Sequence, residues 1–178
     1  PGTPVVWYGD EIGMGDDLSL PERNSVRTPM QWSAERNGGF STVQDPSRLL
    51  RPVTEGAFGP QHVNATSLRR DPHSLLNWFE RLIRRRRECP EIGFGTLTLL
   101  DTDAPSVLAH RCDWDGATIV AVHELAGKAV EVRLPVEDCE ALIDLFSDAE
   151  HAPGDTLRLD GYGARWLRVR RDGQRLPP

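Results

Sequence analysis

Cysteine is scarce in this sequence of 178 residues, which contains three: Cys89, Cys112 and Cys139. They are widely spaced, odd in number and form no CxxC pair, so they indicate neither a disulfide framework nor a zinc site. The sequence also lacks the roughly 18 to 20 consecutive apolar residues of a membrane span, and no charged-then-apolar leader opens it. We therefore expect a cytoplasmic protein with no membrane partner.

Positive charge is also in short supply. The chain carries 27 acidic and 21 basic residues, a formal net charge of -6 at pH 7. Surfaces that bind nucleic acid or anionic membranes non-specifically need clustered positive charge, so we expect no nucleic-acid partner. The arginine run at residues 84–87 falls in the last turn of a predicted helix, where cations favour the helix dipole.

The first 95 residues combine one apolar run, a long loop and a helix. Residues 5–8 predict a short strand buried on both faces. Residues 13–70 are rich in Gly, Pro, Ser, Asn and Arg, and a compact domain tolerates such a loop mainly when it is functional. A helix is predicted after Asp71 as N-cap and Pro72 as first residue, with Pro90 and Gly93 ending it. Its predicted buried face consists of Leu75, Phe79, Leu82 and Ile83.

From Thr96 onward the pattern changes to short β-rich runs separated by turn signals such as Asp115-Gly116. The runs are TLTLL, SVLAHRC, ATIVAVHE, KAVEVRL, ALIDLF, TLRLD and ARWLRV. This spacing predicts a small antiparallel β-sandwich over residues 96–178. We place the domain boundary near Gly95, with α/β structure over residues 1–95.

Two acidic pairs follow the predicted strand. Asp10 and Glu11 stand at its C-terminal end, the edge where α/β barrels carry active sites. Neighbours on a strand point to opposite faces, so these two carboxylates are expected to support the structure rather than act as an acid/base pair. Asp16 and Asp17 form a solvated pair, because a hard metal ion needs six or more oxygen ligands. The glycines between the pairs do not fit a phosphate-binding loop.

Two other patterns resemble metal sites and are better explained by structure. Asp113, Asp115 and Glu124 have the spacing of positions 1, 3 and 12 of a calcium loop, but a threonine occupies the glycine position. A hairpin turn after Asp115 is therefore favoured. His110 and Cys112 share one strand face without a second pair, which indicates core packing.

The most unusual stretch is VRTPMQWS, followed by NGGF. It combines Arg27, a forked donor, with the aromatic rings of Trp32 and Phe40, a pairing that suits hydroxyl-rich ligands. The same residues are equally compatible with Arg27 paired to a carboxylate and Trp32 packed under the loop.

Three blocks in order, GTPVVWYGDEIGMG, VRTPMQWS with NGGF, and SLLNWFERLIRRRRECPEIGFG, resemble the C-terminal third of the α-amylase family of glycoside hydrolases. The resemblance is to the branch that holds trehalose synthase, oligo-1,6-glucosidase and α-glucosidase, and it covers essentially the whole chain. It implies that residues 1–95 are the last strand, active-site loop and closing helix of a (β/α)8 TIM barrel. Residues 96–178 would then be the C-terminal β-sandwich.

The family resemblance also implies a chemistry. Family enzymes cleave α-glucosidic bonds with retention, through an Asp nucleophile and a Glu acid/base. Both, and a further Asp, are expected upstream of this chain, so no catalytic residue is assigned here and the chain alone is expected to be inactive. Arg27 matches the arginine that grips the terminal glucose. The expected pocket support is Asp10, Glu11, Gln31, Trp32 and Phe40.

The expected activity is interconversion of maltose and trehalose, with hydrolysis of α-glucosidic bonds as the alternative. The expected partners are a small α-glucoside, the N-terminal remainder of the same enzyme and another copy of it. No cofactor is expected, and any calcium ion of a full-length enzyme would have its ligands outside this chain. The competing class is a non-catalytic glucan-binding or structural module, which would stack sugars on exposed aromatic rings. The β region offers Trp114, Phe146, Tyr162 and Trp166, with Trp166 patterned as buried.

Overall fold

The computed structural model describes residues 2–173, which divide into two compact units. We call residues 4–84 the loop unit and residues 85–173 the sheet unit; residues 2 and 3 group with the latter. No helix among the described residues has the length and apolar character needed to cross a membrane.

The sheet unit consists mainly of antiparallel strands. Within residues 85–173 the strands are β1 Thr96–Leu100, β2 Val107–Trp114, β3 Ala117–Glu124, β4 Val130–Arg133, β5 Ala141–Asp144, β6 Glu150–His151, β7 Thr156–Leu159 and β8 Ala164–Arg170. Six of these described strands form one sheet in the order β1-β2-β3-β8-β5-β6, and β4 pairs with β7. Every predicted β-rich run contains a strand, whereas the two-residue strand β6 was not predicted.

The tight turn between β2 and β3 confirms the predicted hairpin. Asp115 (φ 48°) and Gly116 (φ 77°) both have positive φ, as the two central residues of a type I′ turn require. The register places Trp114 opposite Ala117 and continues without interruption to Val107 opposite Glu124. The acidic residues of this stretch therefore belong to a hairpin.

Buried aliphatic side chains from both sheets share one hydrophobic core. Val120, Leu142 and Leu167 contribute from the six-stranded sheet, while Val132 and Leu157 contribute from the β4-β7 pair. Inward and outward residues alternate along β7 and along β4, as expected for strands with one buried face. Each fully buried aliphatic side chain stabilises such a core by about 1.5 to 3 kcal/mol.

The short helix α3 Pro90–Phe94 lies against β2 and β3. The preceding helix ends at Arg87, before Pro90, as predicted, whereas Pro90 itself begins α3 and Gly93 lies within it. Proline is well tolerated at a first helical position because its missing N–H would be unpaired there anyway. Burial raises the pKa of the Cys89 and Cys112 thiols, and all three cysteines are free.

The loop unit is built from short helical turns and irregular backbone. Its α-helices are α1 Ala65–Arg70 and most of α2 Leu75–Arg87, which ends beyond residue 84. The 3-10 helices are Asp10–Ile12, Glu22–Asn24, Arg36–Gly39, Pro46–Arg48 and Gly56–Phe58.

The strand predicted at residues 5–8 does not form within the described chain. These residues have no strand assignment, and Val5 is 90% exposed. A strand exists only when a neighbouring strand accepts its backbone hydrogen bonds, and residues 4–84 supply no such neighbour.

Helix α2 starts later than predicted. Asp71 was predicted as its N-cap, but the Asp71 carboxylate accepts the N–H of His73, and the helix begins after Ser74, whose Oγ accepts the N–H of Asn77. No residue of α2 is buried, and Leu75 and Ile83 are exposed. The predicted buried face was therefore wrong too, because the described residues do not cover it.

Candidate functional site

In the acidic turn that follows residues 5–8, both carboxylates accept hydrogen bonds from nearby backbone N–H groups. Oδ2 of Asp10 accepts the N–H of Trp7 at 2.9 Å, and Oε2 of Glu11 accepts the N–H of Gly9 at 2.8 Å. Gly9 has φ 97°, and a Cβ at this position would lie 2.7 Å from Sδ of Met14. The turn therefore requires glycine, and each carboxylate has a bonding role in the turn.

Two aromatic side chains join this turn to the loop that carries Arg27. The indole Nε1–H of Trp7 donates to the carbonyl of Val26 at 3.0 Å, and the Tyr8 hydroxyl donates to the carbonyl of Thr28 at 2.9 Å. The two carbonyls belong to the residues on either side of Arg27. Sequence reasoning missed this connection, although two aromatic residues directly before a turn are a signal that could have prompted it.

The Arg27 side chain is free to reach a ligand. Arg27 is exposed, and within residues 2–173 its guanidinium makes no hydrogen bond or ion pair. Of the two readings of the sequence, a pairing of Arg27 with a carboxylate does not occur among these residues. An exposed guanidinium offers five N–H donors in a planar fork, which suits oxygen-rich ligands.

A cavity of about 220 Å³ lies beside this loop. It is lined by Trp7, Tyr8, Gly9, Asp10, Met14, Gly15, Asp16, Val26 and Thr28. Its wall therefore combines two aromatic rings with two carboxylate residues. Among the sequence-predicted residues, Asp10 lines it, whereas Arg27, Glu11, Gln31, Trp32 and Phe40 do not.

Gln31 organises the interior of the loop unit. It is fully buried, and its Nε2 donates to the carbonyls of Phe58 at 3.0 Å and Val63 at 2.6 Å. Its Oε1 has no hydrogen-bond partner among the described residues. Because a buried amide is held by two distant carbonyls, Gln31 acts on the loop conformation rather than on a ligand in this cavity.

Trp32 and Phe40 present their rings outward. Both side chains are about half exposed, while the backbone N–H and the carbonyl of Trp32 both form hydrogen bonds. Its N–H donates to the carbonyl of Gly38 at 2.7 Å, and its carbonyl accepts from the N–H and hydroxyl of Thr66. Phe40 lines a different, open cavity with Arg36. The two rings are thus exposed on a backbone that is fixed.

The other acidic and histidine residues are explained by local structure. Asp113 accepts two hydrogen bonds from Arg111, which lower the pKa of its carboxyl. His110 and His123 stack with ring centroids 6.1 Å apart, and burial lowers the pKa of both. Within residues 2–173 no group of three or more His, Cys, Asp or Glu side chains could hold a metal ion.

The Glu124 carboxylate accepts more backbone hydrogen bonds than any other carboxylate described in the sheet unit. It is buried, and its two oxygens accept the backbone N–H groups of Ala126, Gly127, Lys128 and Tyr162. These hydrogen bonds, of which the one from Tyr162 has the largest effect, lower its pKa to about 2. A carboxylate engaged in this way fixes the ends of loops and is not available as a metal ligand.

Two family profiles match the chain. One described as "Alpha amylase, catalytic domain" matches residues 1–95, and one described as "Sucrose hydrolase-like, C-terminal domain" matches residues 116–168. Together they cover the loop unit, the start of the sheet unit and most of its strands.

Curated relatives carry names of α-glucoside enzymes. The chain is 41% identical over 155 residues to a trehalose synthase of Thermus thermophilus, covering 85% of this chain and 16% of that protein. It is 36% identical over 179 residues to a trehalose synthase of Pimelobacter sp., covering 95% and 31%. An oligo-1,6-glucosidase of Halalkalibacterium halodurans is 23% identical over 201 residues, covering 92% and 35%. The chain therefore spans a third or less of the length of the first two relatives.

Solved structures share the fold. The trehalose-6-phosphate hydrolase of Bacillus licheniformis superposes with a TM-score of 0.75 at 21% identity, covering 96% of this chain and 36% of that one. The trehalulose synthase MutB of Pseudomonas mesoacidophila gives 0.74 at 24% identity, covering 95% and 36%.

Proposed function

The chain belongs to the α-amylase family, and we propose that it forms the C-terminal part of a retaining enzyme that interconverts maltose and trehalose. The observation that carries this proposal is the identity of 36 to 41% to proteins named trehalose synthase, over 85 to 95% of the chain. The more distant relative named oligo-1,6-glucosidase, at 23% identity, supports the family but fits this activity less closely.

Two segments of the chain would occupy known places in the family's architecture. Residues 1–95 would complete a (β/α)8 barrel, with residues 5–8 as the last strand. The preceding strands of the barrel would form hydrogen bonds with this last strand and cover it. Residues 96–178 would form the C-terminal β-sandwich.

Within this enzyme Arg27 would hold the glucose unit at the non-reducing end of the substrate. Its exposed, unpaired guanidinium can donate to two neighbouring hydroxyls of one sugar. Asp10 and Glu11 already accept backbone N–H groups, so they would frame the pocket rather than react. The nucleophile and the acid/base of the retaining mechanism would be carboxylates outside residues 2–173.

The alternative activity is hydrolysis, as in an α-glucosidase. Both activities begin with the same glucosyl-enzyme intermediate, and they differ in whether water or the retained glucose attacks it. The product ratio therefore depends on how well the closed pocket excludes water. The relatives named oligo-1,6-glucosidase keep this alternative open.

A glucan-binding or structural module is the competing class, and the aromatic residues of the sheet unit argue against sugar binding. Trp166 is 9% exposed, which confirms the prediction of a buried ring. Trp114 lies opposite Ala117 at one end of β3, and the backbone of Tyr162 bonds Glu124 at the other end. These two exposed rings are separated by the length of a strand, and the exposed ring next to Trp114, that of Phe94, is tilted by 38° at 5.6 Å between centroids, so neither pair forms a flat stacking platform.

The proposal includes a small α-glucoside, such as maltose or trehalose, as ligand. It further includes the remainder of the same enzyme and a second copy of it as protein partners, and neither nucleic acid nor membrane. It requires no cofactor from these residues, and a calcium ion bound by the full-length enzyme would have its ligands elsewhere.

The direct test uses the full-length protein that contains this chain. Purified enzyme is incubated with maltose, and trehalose and glucose are measured over time by chromatography. Accumulation of trehalose in excess of glucose supports the maltose-trehalose activity, while glucose alone supports the glucosidase. Absence of both products with maltose, trehalose and isomaltose would refute the proposal.

A further inference from the structure

The carbonyls on both sides of Arg27 are held by the two aromatic residues that precede the acidic turn. We propose that Trp7 and Tyr8 are positioning residues that aim the Arg27 guanidinium at the substrate. This inference rests on the proposed function, in which Arg27 binds the sugar. We call Trp7 and Tyr8 with the two carbonyls they bind the aromatic clamp.

The clamp fixes the backbone around Arg27 at three points. Trp7 Nε1–H binds the Val26 carbonyl at 3.0 Å, which belongs to the peptide group that also contains the N–H of Arg27. That N–H donates to the carbonyl of Asn24 at 3.0 Å, so the peptide is held on both edges. On the other side, Tyr8 binds the Thr28 carbonyl at 2.9 Å.

The residue after Thr28 restricts the backbone further. Pro29 has a fixed φ and keeps the preceding residue in an extended conformation, and Thr28 is buried. The Arg27 Cα thus directly follows the held Val26–Arg27 peptide group and lies one residue before the held Thr28–Pro29 peptide group, while its side chain remains exposed. The backbone fixes the direction in which the side chain leaves, and this leaves the guanidinium fewer positions to sample.

The clamp is itself anchored. Asp10 accepts the backbone N–H of Trp7, and the rings of Trp7 and Tyr8 contact each other with centroids 5.3 Å apart. The carboxylate that lines the cavity therefore acts on Arg27 through the indole of Trp7. This gives Asp10 a definite task at the site, namely to fix the segment that fixes the arginine.

Hydrogen bonds carry the clamp more than apolar burial does. Trp7 and Tyr8 are 46% and 44% exposed, and both Val26 and Arg27 are exposed as well. Trp7→Phe and Tyr8→Phe each remove a hydrogen-bond donor and keep an aromatic ring, so they should loosen the loop while retaining most of the surface that the preceding strands would cover. Placement errors near 1 Å at a substrate-holding group cost large factors in rate, so the loss should be visible in catalysis.

The test removes each hydrogen bond and keeps a six-membered aromatic ring at each position. Trp7→Phe deletes the indole N–H, and Tyr8→Phe deletes the hydroxyl, both in the full-length enzyme. Trp114→Phe and Tyr162→Phe are the matched controls, because they make the same chemical changes in the sheet unit. We expect each clamp variant to raise KM and lower kcat/KM for maltose about three- to tenfold, with both controls close to the parent enzyme.

The same substitutions made in the Arg27→Ala enzyme distinguish a positioning role from general damage to the protein. In Arg27→Ala enzyme, Trp7→Phe and Tyr8→Phe should cause no further loss of kcat/KM, because there is no guanidinium left to aim. Losses of the same size in both backgrounds would overturn the inference, as would clamp variants with unchanged kinetics beside an impaired Arg27→Ala enzyme. If Arg27→Ala itself leaves kcat/KM unchanged, the proposed sugar-binding role of Arg27 is what fails.

Discussion

The carboxylate of Glu124 accepts the backbone N–H of Tyr162 at 3.0 Å, 38 residues further along the chain. The bond ties the end of β3 to the turn between β7 and β8. The same side chain accepts the N–H groups of Ala126 and Gly127 in the turn that follows β3. One carboxylate therefore organises two turns at the same end of the core.

Replacing this carboxylate should change both stability and its dependence on pH. The hydrogen bonds lower the pKa of Glu124 from its ordinary value of 4.5 to about 2, so their stabilisation is complete above about pH 4.5 and is lost as the pH falls toward 2. Glu124→Gln should lower the melting temperature at pH 7, because an amide NH2 faces backbone donors. The variant should also lose less stability than the parent protein as the pH falls.

The matched control is Glu131→Gln on the exposed side of β4. Melting temperatures of the full-length protein are measured from pH 7 to pH 3 for all three proteins. The control should follow the parent curve. An equal melting temperature of Glu124→Gln and parent at pH 7 would contradict the assignment.

Two glycines of the sheet unit should respond in opposite directions to alanine. At Gly116 (φ 77°) a Cβ would meet open space. Gly116→Ala would therefore be unfavourable only because of its positive φ, and it should destabilise the protein by about 1 kcal/mol. Gly93 lies in α3 with open space around it and without a positive φ. Gly93→Ala should stabilise by about 0.5 to 1 kcal/mol, and chemical denaturation measures both. Shifts of the same sign would disprove the explanation.

Arg27→Ala should impair the full-length enzyme in its use of maltose. The substitution removes hydrogen bonds between a charged donor and the sugar, worth about 1.5 to 3 kcal/mol, so kcat/KM should fall roughly 10- to 150-fold with a raised KM. Arg23→Ala is the control, since Arg23 is another exposed arginine of the same loop unit. Steady-state kinetics measure kcat/KM for both variants. Equal kcat/KM values for Arg27→Ala and Arg23→Ala would argue against sugar binding by Arg27.

A polypeptide of these 178 residues alone should show no turnover of maltose. The reason is that the two carboxylates of the acidic turn, Asp10 and Glu11, are engaged by backbone N–H groups, and the reacting carboxylates are proposed to lie elsewhere. Glucose and trehalose are assayed after long incubation at high protein concentration. Measurable turnover would place the chemistry within this chain.

The strands of the sheet unit could be predicted because their signals are local. Alternating residues define one buried face, and turns such as the one at Asp115 and Gly116 are encoded by two adjacent residues. Strand β6 escaped prediction because two residues, Glu150 and His151, are too few to show a period. The family resemblance, resting on three separate blocks, was confirmed by the profile that matches residues 1–95.

The loop unit was harder to predict because its structure depends on distant partners. Residues 5–8 have the composition of a buried strand, but pairing requires strands that the described residues lack. At the start of α2, Asp71 and Ser74 are both good caps, and the structure uses the later one. The aromatic clamp joins residues 19 and 20 positions apart, a relationship that no short pattern contains.

The position of β8 has a consequence for how the chain folds during its synthesis. This strand lies between β3 and β5 in the six-stranded sheet and contributes the buried Leu167 and Val169. Domains emerge from the ribosome at about 5 to 20 residues per second, so β3 waits several seconds for its neighbour. Until Arg170 has been translated, nascent β3 and β5 expose unpaired edges, which are sites where strands of other chains can pair.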